Sequence, residues 1–171
     1  MKFPWHRFIA VWEIIGGVAG AATHFSPILS ALQKTRYTEW PIWDLLFFGI
    51  FILCAVSGLL LWNRSAAGLN LSRFVQLLQI PDIVVKGIAY RLVMILSIPA
   101  GFEINHPQSI FRYGVDTGFH FTLEQYDPKD FLLLQINLIA LVLFIFLCFI
   151  PAKKIPYTEK IEKRGDLLFS E

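Results

Sequence analysis

Three stretches of this chain carry almost unbroken apolar positions. Residues 8–32 hold one acid, Glu13; residues 42–62 hold one, Asp44; and residues 132–150 form a run of 19 positions without any charge. A helix rises about 1.5 Å per residue, so runs of this length match a hydrocarbon core of roughly 30 Å. The pattern predicts transmembrane helices at about 8–32, 42–62 and 131–151. Trp40, Trp43 and Trp62 flank the second run, where tryptophan rings favour headgroup level, and Pro27 bends or ends the first.

Between the second and third runs the period changes twice. Leu71, Phe74, Val75 and Leu78 recur at helical spacing opposite Ser72, Arg73, Gln76 and Gln79, which predicts an interfacial helix at about 70–80, stopped by Pro81. Residues 82–128 read as a β-rich or re-entrant segment. The uncharged portion 92–102 has 11 residues, short for a crossing. From Phe111 the chain alternates: Phe111, Tyr113, Val115, Thr117, Phe119, Phe121 and Leu123 take one parity, while Arg112, Gly114, Asp116, Gly118, His120, Thr122 and Glu124 take the other. That is a strand pattern. The expected fold is therefore a membrane all-α bundle of three transmembrane helices with a small β element between the second and last spans. If Ile80 to Phe102 also crosses, the count becomes four. Hydrophobicity favours three, while the placement of Lys and Arg favours four. The chain reads as one integral membrane domain over residues 1–171.

Composition agrees with a lipid solvent. The chain is 56% hydrophobic and 16% charged, against about 25% charged in soluble domains. Glu13 and the apolar sequence beyond Gly20 argue for a retained first helix rather than a cleaved leader. A net charge of +2 gives no reason to expect nucleic acid. Lys153, Lys154, Lys160, Lys163 and Arg164 concentrate after the last run, which predicts a cytoplasmic tail over 152–171 touching lipid headgroups. Cys54 and Cys148 lie within apolar runs and suggest neither a disulfide nor a metal site.

Chemistry-bearing residues are few. Glu13, Gly16, Gly20 and His24 fall on one helical face. Gly16 and Gly20 form a small-xxx-small pair for close helix packing. Glu13 and His24 are the candidate intramembrane polar site; an acid within a span marks a pathway, a proton site or a buried partner, unless it reaches the headgroups. A haem reading of His24 lacks a second intramembrane histidine, and no metal-ligand spacing occurs. Asp44 complements the positive start of the second helix, and Gln135 and Asn137, about 200° apart on a helix, are expected to bond to separate neighbours.

The motifs Gln76-x-x-Gln79-Ile80-Pro81 and Gln135-Ile136-Asn137-Leu138-Ile139-Ala140, in a chain of this layout, resemble small polytopic membrane proteins of bacteria, a group without an assigned activity. The resemblance implies an architecture and a bacterial inner-membrane setting, and no residue roles. No nucleotide loop, nucleophile elbow or zinc motif is present, and no cofactor is implied. The expected function is that of a membrane protein without catalytic machinery, an accessory or structural subunit of a membrane assembly or a homo-oligomer, with lipid and other subunits, or itself, as partners. The alternatives are a small transporter or proton-conducting subunit using Glu13 and His24, and a haem-binding subunit using His24.

Overall fold

The computed structural model describes residues 5–33, 42–85, 88–105, 108–125 and 131–150. Helix α1 (Trp5–Gln33) and helix α2 (Ile42–Trp62) form an antiparallel hairpin. Its closeness is set by two glycines. A Cβ on Gly17 would strike the backbone of Ala55 and Phe51, and one on Gly58 would come 2.7 Å from the Ala10 carbonyl oxygen. Both helices are long and apolar enough to cross a membrane.

Helix α3 (Ala66–Gln79) starts at Ser65, whose Oγ accepts the Gly68 N–H at 3.1 Å. Its buried side mixes polar and apolar groups, Ser72, Gln76 and Gln79 with Leu69 and Val75, while Phe74 and Leu77 are about half exposed.

The remaining mass is a six-stranded antiparallel sheet of β1 (Pro81–Val85), β2 (Ile88–Ser97), β3 (Pro99–Asn105), β4 (Gln108–Tyr113), β5 (Asp116–Gln125) and β6 (Phe131–Asn137), ordered β4-β3-β6-β1-β2-β5. Strands β4 and β5 are the two edges, yet only Gly114 and Val115 separate them in the chain. The sheet must curl for its edges to meet there. A bend in the β2–β5 ribbon accomplishes this: Ile95 (φ 70°) and Gly118 (φ 148°) are paired with each other and both leave the ordinary strand conformation. Glycine adopts such a φ readily, whereas for the β-branched Ile95 it is strained.

Tyr90, Leu92 and Met94 of β2 pack on the helices, in one cluster with Ala21 of α1, Phe51 and Cys54 of α2, and Val75 of α3. Gly16 meets the same strand, since a Cβ there would come 2.9 Å from Met94 Cε. These are central positions of the hairpin, so the sheet lies beside its middle rather than beyond its end.

This architecture overturns the expected bundle of three or four spans with a small β element. Among the described residues only α1 and α2 reach membrane length. The third expected span, 131–151, is strand for seven residues and then helix α4 (Leu138–Phe149) for 12. That helix is about 18 Å long, well short of a bilayer core. Asn137 makes the switch: its Oδ1 accepts the N–H groups of Ile139 at 3.1 Å and Ala140 at 3.4 Å, starting α4, and that of Ile98 at 3.3 Å, tying the junction to the sheet. The optional fourth crossing, Ile80 to Phe102, is β1, β2 and the start of β3. The alternating run from Phe111 to Leu123 is not one strand but two, at opposite edges of the sheet.

Candidate functional site

The two faces of the sheet differ in kind. Registered positions Arg112, Gly101, Gln135, Asp82 and Arg91 form a continuous row across β4, β3, β6, β1 and β2, and Glu103 and Leu133 stand opposite each other one row along. Alternation puts all of these on one face. The other face carries Phe102, Phe111, Leu134 and Ile136, all about half exposed, with the Phe102 and Phe111 rings edge to face at 5.4 Å.

The polar face is the concave one. It walls a cavity of about 390 Å³ whose lining includes Arg91, Glu103, Arg112, Asp116 and Gln135, with Tyr113 and Val115 at its lip. Arg91 Nε lies 2.9 Å from Asp82 Oδ2, and its Nη1 lies 3.5 Å from Asp116 Oδ2. Asp116 is registered with Ser97, six residues from Arg91 along β2, so the contact exists only because the ribbon folds back at Ile95 and Gly118. On the far wall Arg112 Nε pairs with Glu103 Oε2. Exposure separates the members: the Asp82 and Glu103 side chains are 5% and 10% exposed, whereas Asp116, Arg91 and Arg112 are 27%, 34% and 59% exposed. The lining thus carries two guanidinium groups, each paired with an acid, and two carboxylates, of which Glu103 is the less exposed.

A second polar centre joins the helices. Glu13 is fully buried; its Oε2 accepts from Ser72 Oγ at 2.6 Å and lies 2.8 Å from Ser57 Oγ, and its Oε1 accepts from Gln76 Nε2 at 3.0 Å. Ser57 Oγ is also 2.8 Å from the Cys54 carbonyl oxygen, so its single hydrogen serves one of the two acceptors at a time. One carboxylate from α1 thus ties down α2 and α3, and water has no access to it. Arg73 fastens the fourth helix: its Nε and Nη2 donate to the Leu147 carbonyl at 3.2 and 3.0 Å, joining the Ile150 N–H there, and Nη2 also donates to the Ile150 carbonyl at 3.1 Å.

Glu13 and His24 are not brought into one site. His24 Nδ1 lies 3.1 Å from Asp44 Oδ1, across the hairpin at its other end, with its ring stacked on Phe51 and edge-on to Phe47. Gly20 lies against the Phe51 ring of α2, whereas Gly16 lies against the sheet. No group of three or more His, Cys, Asp or Glu suited to a metal occurs among the described residues. The basic positions Lys153, Lys154, Lys160, Lys163 and Arg164 lie outside the described residues.

Sequence reasoning missed the concavity because its charges come from five strands. The signal was present in part: Arg112 and Asp116 belong to the polar parity of the 111–123 alternation, and Gln135 and Asn137, two residues apart, share a strand face although they diverge on a helix. Burial also marks Tyr90 near the site, on the reverse of the sheet. Its hydroxyl donates to the Leu78 carbonyl at 2.6 Å, and burial, with a smaller contribution from Cys54, pushes the phenol up to about 12. No family model, curated protein or solved structure matches this chain, so its function is read from this geometry.

Proposed function

We propose that this is an integral membrane protein without catalytic machinery, in which the α1–α2 hairpin crosses the bilayer and the curled sheet holds a small charged ligand. The observation that carries this reading is the convergence of Arg91, Arg112, Asp82, Glu103 and Asp116 on the concave face of a sheet whose reverse packs beside the middle of the hairpin. Ionisable groups are costly at that depth, and where they line a cavity rather than a sealed contact they mark a ligand or ion site. A bacterial inner membrane, with the tail over 152–171 in the cytoplasm, is the setting that fits the basic residues there.

The test is a ligand survey by thermal shift and native mass spectrometry on the full chain in mild detergent. Small anions, cations and zwitterions are expected to include at least one stabilising ligand whose effect disappears in Arg112→Gln. A survey in which no charged solute or lipid stabilises the protein would remove the reading.

A second reading, an accessory subunit or homo-oligomer, draws on the half-exposed apolar face of Phe102, Phe111, Leu134 and Ile136. Native-membrane purification followed by mass spectrometry tests it: a co-purifying chain or a stable oligomer is expected, and a lone monomer would count against it. The transporter reading through Glu13 and His24 gains no support from the geometry, because Glu13 is sealed by three side chains and His24 is engaged with Asp44.

A further inference from the structure

We infer that the end of the bundle holding the start of α1 and the α2–α3 turn binds the headgroup of an anionic phospholipid through Arg7 and Arg64. This rests on the reading that the hairpin crosses a bilayer, and adds to it a lipid class and the residues that hold it. Three contacts assemble this end: Gly58 of α2 lies against the Ala10 carbonyl of α1, the Trp5 ring stacks on Phe146 of α4 at 5.1 Å, and Arg73 of α3 holds the last carbonyls of α4. Arg7 lies over the Trp62 ring, 5.4 Å from its centroid. Arg64 occupies the turn in the left-handed conformation (φ 55°), its N–H donating to the Leu61 carbonyl at 2.9 Å, which sets it outside both helices. Both arginines are exposed, and neither has an acid or a side-chain hydrogen bond among the described residues. His6, close to both, offers no negative charge, and its covered Nε2 has no hydrogen-bond partner among the described residues. The charge count here is positive: Arg7, Arg64 and Arg73, the last already spent on carbonyls, stand against Glu13, which is six residues deeper along α1 and sealed by Ser57, Ser72 and Gln76. Where the chain continues from Ile150, Lys153 and Lys154 come before the next acid, Glu159. Beside the cations, Phe8 and Trp62 are about half exposed. Cations at the end and aromatic rings on the flank match the two parts of a phospholipid. Guanidiniums take phosphate oxygens in paired hydrogen bonds, and tryptophan rings favour the level where headgroup meets acyl chain. A positive end that offers an ammonium group no carboxylate selects an anionic headgroup over a zwitterionic one.

The experiment titrates the full-length protein in mild detergent with dioleoyl phosphatidylglycerol or dioleoyl phosphatidylcholine and counts bound lipid by native mass spectrometry. Phosphatidylglycerol is expected to bind at least ten-fold more tightly than phosphatidylcholine. Arg7→Gln and Arg64→Gly should each remove about five-fold of that affinity, the ratio given by about 1 kcal/mol per arginine at an anionic surface. The double variant should bind the two lipids alike. Glycine suits the left-handed turn at position 64, so Arg64→Gly removes the guanidinium without cost to the fold, and thermal melts confirm that each variant is folded. Asp44→Asn, at the other end of the hairpin, should keep the wild-type preference. Equal binding of the two lipids by wild type would overturn the inference. So would a preference that persists in the double variant, or a retained polypeptide or nucleic acid, in place of lipid, that the double variant releases. Each of these outcomes leaves the hairpin in the bilayer. That reading fails separately, if the chain stays folded and monodisperse in buffer without detergent.

Discussion

The helical core and the curled sheet hold their polar groups in opposite ways. Around Glu13 every donor converges inward and water is shut out; around Arg91 and Arg112 the buried acids are neutralised and the cations stay open. Both sets sit in surroundings where an unpaired polar group is expensive. Closure of the first makes it a fastener, and openness of the second is what the proposed ligand site rests on. A fastener tolerates little change and communicates nothing, whereas an open charged wall tolerates change in stability and registers it in binding.

Substitutions can break this contrast. The largest effect is expected at Gly17→Leu, where the new side chain meets the α2 backbone rather than a movable side chain; folded protein should be lost on fluorescence-detected size exclusion. Glu13→Ala comes next. It leaves Ser72 and Gln76 without their acceptor in a buried centre, while Ser57 keeps the Cys54 carbonyl, at a cost of about 2 to 4 kcal/mol in detergent unfolding curves. A liposome flux assay with Glu13→Gln should match wild type, because the carboxylate is a structural tie; a lost flux would reassign it to a pathway.

In the sheet, the two arginines should part company. Arg91→Ala strands the buried Asp82 and should cost about 2 kcal/mol, which Asp82→Asn in the same chain partly restores. Arg112→Ala also leaves a buried acid, Glu103, without its cation, but Arg112 is itself more than half exposed and water takes its place, so the cost should be smaller, about 1 kcal/mol. Tyr90→Phe removes one hydrogen bond to Leu78, worth about 1 kcal/mol. The phenol is raised, so its contribution is complete below the ordinary tyrosine value of about 10 and lost as pH climbs through about 12; an absorbance titration of tyrosinate against unfolding checks the sign.

Much of the helical half is legible in the residues. The limits of α2 follow the second apolar run, and Glu13 is visible as an acid that needs partners. The identity of those partners is not, since Ser72 and Gln76 lie about sixty residues away and read as the wet side of a surface helix. The expected third span failed for a different reason. A uniformly apolar run has no period, so it reads equally as a buried strand or a helix, and only pairing decides. Residues 131–137 find β1 on one side and β3 on the other, which satisfies their backbone and leaves α4 to begin at Asn137.

Composition and periodicity by themselves determined that lipid-length apolar helices start this chain and that alternating segments follow them, because burial preference and repeat are local properties of residues. Only the tertiary structure decided that six strands would curl until their edges met and gather charges from five of them around one concavity. Strand order and register are set by contacts between segments far apart in the chain, and no window of sequence contains both sides of such a contact.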